Sequence, residues 1–149
     1  MYKAWEVGKT LAPVYSGGHI EVVGDSLYCV RDGTLMQIGV DDFEVKREIS
    51  DEGFDSFATT PEASVCTFSS SGLLKLWDAE GNLSKAWKSD SYVRVMDIRD
   101  VLLACGNADG SLRVFHLSHF HLTHKFKNHT APVTDIRFHP TEYHVAASS

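Results

Sequence analysis

Four prolines, three cysteines, no apolar run longer than a few residues and no surplus of positive charge mark this 149-residue chain. A membrane-crossing helix needs about 20 consecutive apolar residues, and no segment comes near that. Met1 to Thr10 carries Lys3, Glu6 and Lys9 without an apolar centre, so it does not read as a secretory signal, and an intracellular location is expected. Cys29, Cys66 and Cys105 are odd in number and lie 37 and 39 residues apart, which fits neither a disulfide framework nor a zinc motif. The net charge is −6, with thirteen Asp and Glu against seven Lys and Arg over residues 41–100. A surface that grips phosphates shows a basic patch, and Lys125, Lys127 and Arg137 form only a weak one. The chain also lacks a nucleophile elbow, a phosphate loop, paired carboxylates and a Cys-His pair. Asp41-Asp42 and Ser69-Ser70-Ser71-Gly72 read as turns. No catalytic, cofactor-binding or metal-binding residue is therefore expected. The His-rich stretch His116, His119, His121, His124 and His129 reads as turn and surface histidines, with no Asp, Glu or Cys close in sequence to complete a zinc site.

What the chain does have is a period. Asp32-Gly33, Ser71-Gly72 and Asp109-Gly110 stand 39 and 38 residues apart, within the range of repeat architectures. Each separates two short β-forming runs and reads as a tight hairpin turn, because Gly tolerates positive φ. The runs after the turns align without gaps: Thr34 to Ile38, Leu73 to Trp77 and Ser111 to Phe115. Each closes on a large residue, Ile38, Trp77 or Phe115. The runs before the turns carry the three cysteines, which read as small buried strand residues. Tyr92 to Ile98 and Val133 to Phe138 alternate with period two, as half-buried strands do. Phe43 to Ile49, Leu83 to Trp87 and Leu122 to Phe126 supply an outer strand. Four strands per period of about 40 residues fit a propeller blade. Pro61 and Pro140 fall at matching strand ends, where a missing N–H costs little.

Trp77-Asp78 and the junction from Asn128 through His129, Thr130, Ala131 and Pro132 to Pro140 carry a resemblance to the WD-repeat family. Asn128 stands for the usual Gly, and Asn also tolerates left-handed geometry. The resemblance spans about residues 20–149 and implies an all-β WD-repeat β-propeller of about three and a half four-stranded blades, an incomplete ring. Blades are expected at about 20–52, 53–90, 91–128 and, in part, 129–149. Residues 1–19 form a lead-in or a closing strand. The structural positions the family implies are Thr67, Trp77, Asp78, Asp109, Gly110, His129, Asp135 and Ser148. In that family a buried network links a junction His, a strand Ser or Thr, a turn Asp and a strand Trp, and such a network needs every member paired. Here it is patchy. The second repeat keeps Thr67 and Trp77 but has Ser71 for Asp and no junction His. The third keeps Asp109 but has Cys105 and Phe115 for the hydroxyl and the Trp. The fourth has His129 and Ser148. The stability of the diverged repeats is thus expected to rest on apolar packing.

Gly106 to Ser111, Thr123-His124-Lys125-Phe126-Lys127-Asn128-His129 and Pro13 to Gly18 resemble the early repeats of the transducin-beta-like subunits of the small-subunit processome B subcomplex. That resemblance implies a non-catalytic nucleolar scaffold in pre-ribosomal RNA processing. Its partners would be other protein subunits, other WD-repeat proteins among them, with RNA contact indirect and no membrane or small-molecule substrate. The alternative is a peptide-recognition adaptor of a ubiquitin-ligase or signalling complex, cytoplasmic rather than nucleolar. The acidic residues Glu48, Asp51, Glu52 and Asp55 read as a solvated loop, or as one facing a basic partner. Val145 to Ser149 reads as an inner strand stopped before its turn, so the chain is expected to be part of a longer protein or to be completed by a partner.

Overall fold

In the computed structural model of the protein, residues 19–149 are described. The lead-in or closing strand expected over residues 1–19 lies outside them, except for His19. The described chain is all-β. β1 (Ile20–Val23), β2 (Ser26–Arg31), β3 (Thr34–Gly39) and β4 (Val45–Ser50) form one antiparallel sheet in chain order. β5 (Ser56–Thr59), β6 (Val65–Phe68), β7 (Leu73–Trp77) and β8 (Leu83–Lys88) form the second, and β9 (Val93–Arg99), β10 (Leu102–Asn107), β11 (Leu112–His116) and β12 (His121–Phe126) the third. β13 (Asp135–Phe138) and β14 (Val145–Ser148) make a two-stranded hairpin. The first strands of successive sheets lie side by side, β1 against β5, β5 against β9 and β9 against β13. The result is an arc of three full blades and one hairpin, an incomplete propeller.

The core sits between blades. Tyr28, Leu35, Ile49, Phe57 and Trp77 pack between the first and second. Phe68, Leu74, Met96, Leu103 and Phe120 pack between the second and third, where Cys66 and Cys105 are also fully buried. Ala104, Val114 and Ile136 bind the hairpin to the third blade. Each large side chain buried this way contributes about 1.5–3 kcal/mol. β5 is buried at every residue, so it lacks the alternation by which the half-buried strands announce themselves.

The three hairpin turns are not alike. Asp32 and Gly33 both have positive φ, 49° and 76°, the two-residue turn whose twist matches its strands. At the other two only the glycine is left-handed, Gly72 at 84° and Gly110 at 79°. There the loop is one residue wider, with Ser69 N–H donating to Leu73 O and Asn107 N–H to Ser111 O. Asn128, for its part, does not take up positive φ, so the junction does not use the latitude expected of it.

Two features recur in every blade. A bulge lies between the third and fourth strands at Gln37/Ile38, Leu76/Trp77 and Val114/Phe115. The extra residue falls on the outer strand, at Lys46, Ser84 and Thr123. Each hairpin turn also approaches the junction that follows its blade. A Cβ on Gly33 would lie 3.3 Å from Gly53 Cα, and one on Gly110 would run into the carbonyl oxygens of His129 and Ala131. In the second blade, Gly72 O accepts Ser89 N–H at 2.8 Å. Gly106 marks a further close approach, since a Cβ there would lie 2.6 Å from Val133 Cγ1.

Gly110→Ala combines positive φ with a backbone collision and is expected to destabilise by about 2–4 kcal/mol. Gly24→Ala, at a φ of 60° with open space around it, is expected to cost about 1 kcal/mol. Urea unfolding of the two variants checks the difference, and equal losses would remove the role given to the turn–junction contact.

Candidate functional site

Trp77 closes β7 with its ring against the first blade, edge-on to Phe54 at 6.2 Å, and its Nε1–H donates to Thr67 Oγ1 at 2.9 Å in a buried bond. Asp78, the next residue, turns outward and organises the turn to β8. Its carboxylate accepts Glu80 N–H at 3.0 Å, Asn82 N–H at 2.8 Å and Asn82 Nδ2 at 3.2 Å. The Asn82 backbone bond leads in holding this carboxyl below its ordinary value. The turn so formed presents carbonyls to the preceding blade. Arg47 on β4 donates through Nη1 to Asp78 O, at 2.9 Å, and to Ala79 O, and through Nη2 to Ala63 O at 2.9 Å. Lys85 repeats the contact one blade on, donating to Leu117 O and Ser118 O. Arg99 donates to His139 O and Glu142 O of the β13–β14 connection, with its guanidinium over the Tyr143 ring at 4.8 Å.

The junctions use a second set of charges. Lys75 stands three residues after Gly72, its side chain only 12% exposed, and it pairs with Asp51 and with Glu52, the latter at 3.1 Å. The Lys75 bond leads in lowering the Glu52 carboxyl, and the Asp51 bond leads in raising the Lys75 ammonium. Asp51 and Glu52 therefore belong to the blade interface rather than to a free acidic loop. Arg113 holds the same place after Gly110. It is buried, with Nη1 3.1 Å from Asp90 Oδ1 and Nη2 3.8 Å from Asp109 Oδ2. These contacts are ionic rather than well-aligned hydrogen bonds, for Nε and Nη1 have no aligned acceptor. In the second and third blades a cation three residues after the turn glycine thus meets an acid of the preceding junction. Single-residue propensities gave no sign of this pairing, although the spacing of Lys75 and Arg113 from their glycines could have done so.

The other expected positions fall in different surroundings. Asp109 Oδ1 accepts Ser111 N–H at 2.9 Å and the Ser111 hydroxyl, and the Ser111 hydroxyl leads in lowering its carboxyl. Gly110 lies under the His129–Ala131 backbone. His129 Nδ1 meets Ser149 Oγ at 3.0 Å, whereas Ser148 Oγ meets Thr134 Oγ1 at 3.0 Å. Asp135 is exposed, loosely paired with Arg137 at 3.8 Å, and is not brought to the buried network. Two acids tie inner strands together instead. Glu21 accepts the Thr59 N–H at 2.9 Å and its hydroxyl, and Asp97 accepts Phe138 N–H at 2.7 Å.

On the axial side of the arc two clefts of about 400 and 440 Å³ share Asp55 and Arg94. Tyr92 and Asp32 line the first, and His19, Asp135 and Arg137 the second. Arg94 has no ion pair among the described residues, and Tyr92 is 46% exposed. Arg94 and Arg137 lie on two different inner strands, β9 and β13, and Tyr92 just precedes β9. Among the described residues no three or more His, Cys, Asp or Glu are arranged to hold a metal ion.

A glutamate carboxyl lowered in the folded state stabilises fully above its unfolded pKa and stops doing so as pH falls through the folded one. A raised lysine stabilises fully below its unfolded pKa and fades as pH rises through the folded one. Stability is therefore expected to fall at both extremes. Glu52→Gln should shallow the acid limb without flattening it, since Asp78 and Asp109 are also lowered; urea midpoints across pH measure this. A double-mutant cycle of Thr67→Val and Trp77→Phe is expected to return a coupling of about 1 kcal/mol, and a coupling near zero would deny the bond an energetic role.

No protein-family model matches the chain. It is 28% identical over 148 residues to Transducin beta-like protein 3 of Bos taurus and to that of Homo sapiens. It is 27% identical over 145 residues to U3 small nucleolar RNA-associated protein 13 of Saccharomyces cerevisiae. These alignments cover 89–91% of the chain, and the chain spans 18% of the length of each of these relatives. Among solved structures, that of U3-55K matches with a TM-score of 0.66 and 13% identity, over 75% of this chain and 38% of that one. The four-stranded blades arrayed along their inner strands and these likenesses together support a relationship to the WD-repeat propellers.

Proposed function

We propose that the chain is a non-catalytic scaffold segment of a ribonucleoprotein assembly, the small-subunit processome, acting in pre-ribosomal RNA processing in the nucleolus. The observation that carries this reading is the alignment over nine-tenths of the chain to relatives one of which is named for its association with a small nucleolar RNA. The architecture suits the role. Blades pinned by Arg47, Lys85 and Arg99 to neighbouring carbonyls form a rigid platform, and rigid surfaces bind without a large ordering cost. The partners are other protein subunits, WD-repeat proteins among them, and contact with RNA passes through them.

A second reading, a peptide-recognition adaptor, is favoured by the axial clefts, where Arg94, without an ion pair among the described residues, lines the same cleft as Tyr92. Arginine and tyrosine are enriched among residues that dominate protein interfaces.

Affinity purification of the protein from its own cells separates the two. Recovery of pre-ribosomal RNA and small nucleolar RNA with their assembly factors is expected, and recovery of a ubiquitin-ligase core in their place would overturn the scaffold reading. Arg94→Glu is expected to leave the thermal midpoint within about 0.5 kcal/mol of equivalent stability, as an exposed substitution should. It should also deplete a subset of the co-purifying proteins by about tenfold or more.

A further inference from the structure

The interfaces between full blades repeat one arrangement. On the outer strand an apolar residue, a cation and a second apolar residue stand at alternate positions: Val45, Arg47 and Ile49 on β4, and Leu83, Lys85 and Trp87 on β8. The cation donates to two carbonyls of the following blade, those of Asp78 and Ala79 or of Leu117 and Ser118. These stand five and four residues before Leu83 and before Leu122. Two residues before the same leucines comes a left-handed residue, Gly81 at a φ of 89° and Phe120 at 47°. It lies against the outer strand of the blade before. A Cβ on Gly81 would lie 3.4 Å from Arg47 Cδ, and Phe120 stacks on Trp87.

The first blade carries the receiving half of this arrangement, with no described blade before it. Val40 and Asp41 stand five and four residues before Val45, and Phe43, left-handed at a φ of 56°, stands two before it. Phe43 is 43% exposed, whereas its counterpart Phe120 is 9%. The adjoining sheet face, turned away from the second blade, carries Ile20, Val22, Cys29, Met36, Ile38 and Val45. Ile20, Val22 and Val45 are exposed, while Cys29, Met36 and Ile38 are buried in a cluster that no other described blade joins. An apolar sheet face of this kind is stable only when another layer covers it.

The sequence ahead of β1 supplies the other half. In Val7-Gly8-Lys9-Thr10-Leu11 an apolar residue, a cation and an apolar residue again stand at alternate positions. Lys9 precedes β1 by eleven residues, against nine from Arg47 to β5 and eight from Lys85 to β9. Asp41 and Asp42 give the receiving turn the charge opposite to that of Lys9. We propose that residues 7–11 cover the free face of the first blade, with Lys9 donating to the Val40 and Asp41 carbonyls and Leu11 meeting Phe43 and Ile38. A face filled from within the chain is closed to other subunits.

The test is native alkylation of the full chain with iodoacetamide, each cysteine followed by peptide mass spectrometry. Burial raises the Cys29 thiol, so it reacts when the first-blade face opens. Cys66 and Cys105, buried between the second and third blades, report on global unfolding. Lys9→Glu and Leu11→Ala are each expected to speed Cys29 alkylation by about tenfold or more, the effect of losing one charge-assisted hydrogen bond or one buried leucine, without changing Cys66 or Cys105. Lys9→Arg should keep the protection, as Arg47 does the same work one blade on, and Lys3→Glu should have no effect. Hydrogen exchange on the unaltered chain, which needs no variant, should find the amides of residues 7–11 protected. Cys29 alkylation indifferent to Lys9→Glu and Leu11→Ala would overturn the proposal, as would free-chain exchange of residues 7–11. Protection of Cys29 that falls on dilution would make the occupant a second copy, and Cys29 reacting as an open thiol in the unaltered chain would leave the face to another protein; either result overturns it.

Discussion

The contact on which the arc depends is that between a cation on one blade and the backbone carbonyls of the next. The turn between the third and fourth strands of a blade presents carbonyl oxygens to the blade before it, and a carbonyl so placed can accept a charged donor. Arg47 and Lys85 supply it from equivalent places on successive outer strands, while Arg99 supplies it near the axis. Because the acceptor is backbone, the contact asks nothing of the side chains in the receiving turn. Asp78-Ala79 and Leu117-Ser118 share no chemistry, yet both fill the same role. A repeat can thus lose its consensus residues and keep its stacking.

The same tolerance explains the junctions. A buried polar network of four different residues fails when one is lost, because the remainder are left unpaired. The second and third blades lack the complete set, and Lys75 and Arg113 meet the junction acids Asp51, Glu52 and Asp90 in its place. The substitution is uneven. Each cation finds two acids, but Arg113 is buried with two nitrogens lacking aligned acceptors, and a buried cation so placed adds little net stability. Thr67 and Trp77 survive as a pair because that bond needs neither the junction nor the turn.

The blade period, the inner hairpins and the outer strands were legible in the sequence, since Gly33, Gly72 and Gly110 punctuate runs that alternate or end on a large residue. β5 was not, because Ser56 to Thr59 is buried on both faces and carries no period. Ser148, expected as a structural position of the repeat, pairs with Thr134 across the hairpin, while His129 meets Ser149 just beyond β14. The acidic residues around position 51 looked solvated because their partner lies 23 and 24 residues further along, on a strand whose own pattern is apolar. Arg94 and Arg137 could not be grouped from sequence, since only the side-by-side packing of β9 and β13 brings them to one cleft.

The bulge that recurs at Lys46, Ser84 and Thr123 bears on how such a molecule survives in a crowded cell. Each blade ends in an outer strand with one row of unpaired peptide groups, and three such rows stand along the arc. A straight row of that kind is a template for any extended chain that meets it, and fibrils grow by that route. An extra residue in the strand breaks the spacing of the row and increases its twist. No incoming strand can then match more than a few consecutive peptide groups. The irregularity beside Arg47 and Lys85 therefore guards the perimeter against self-assembly.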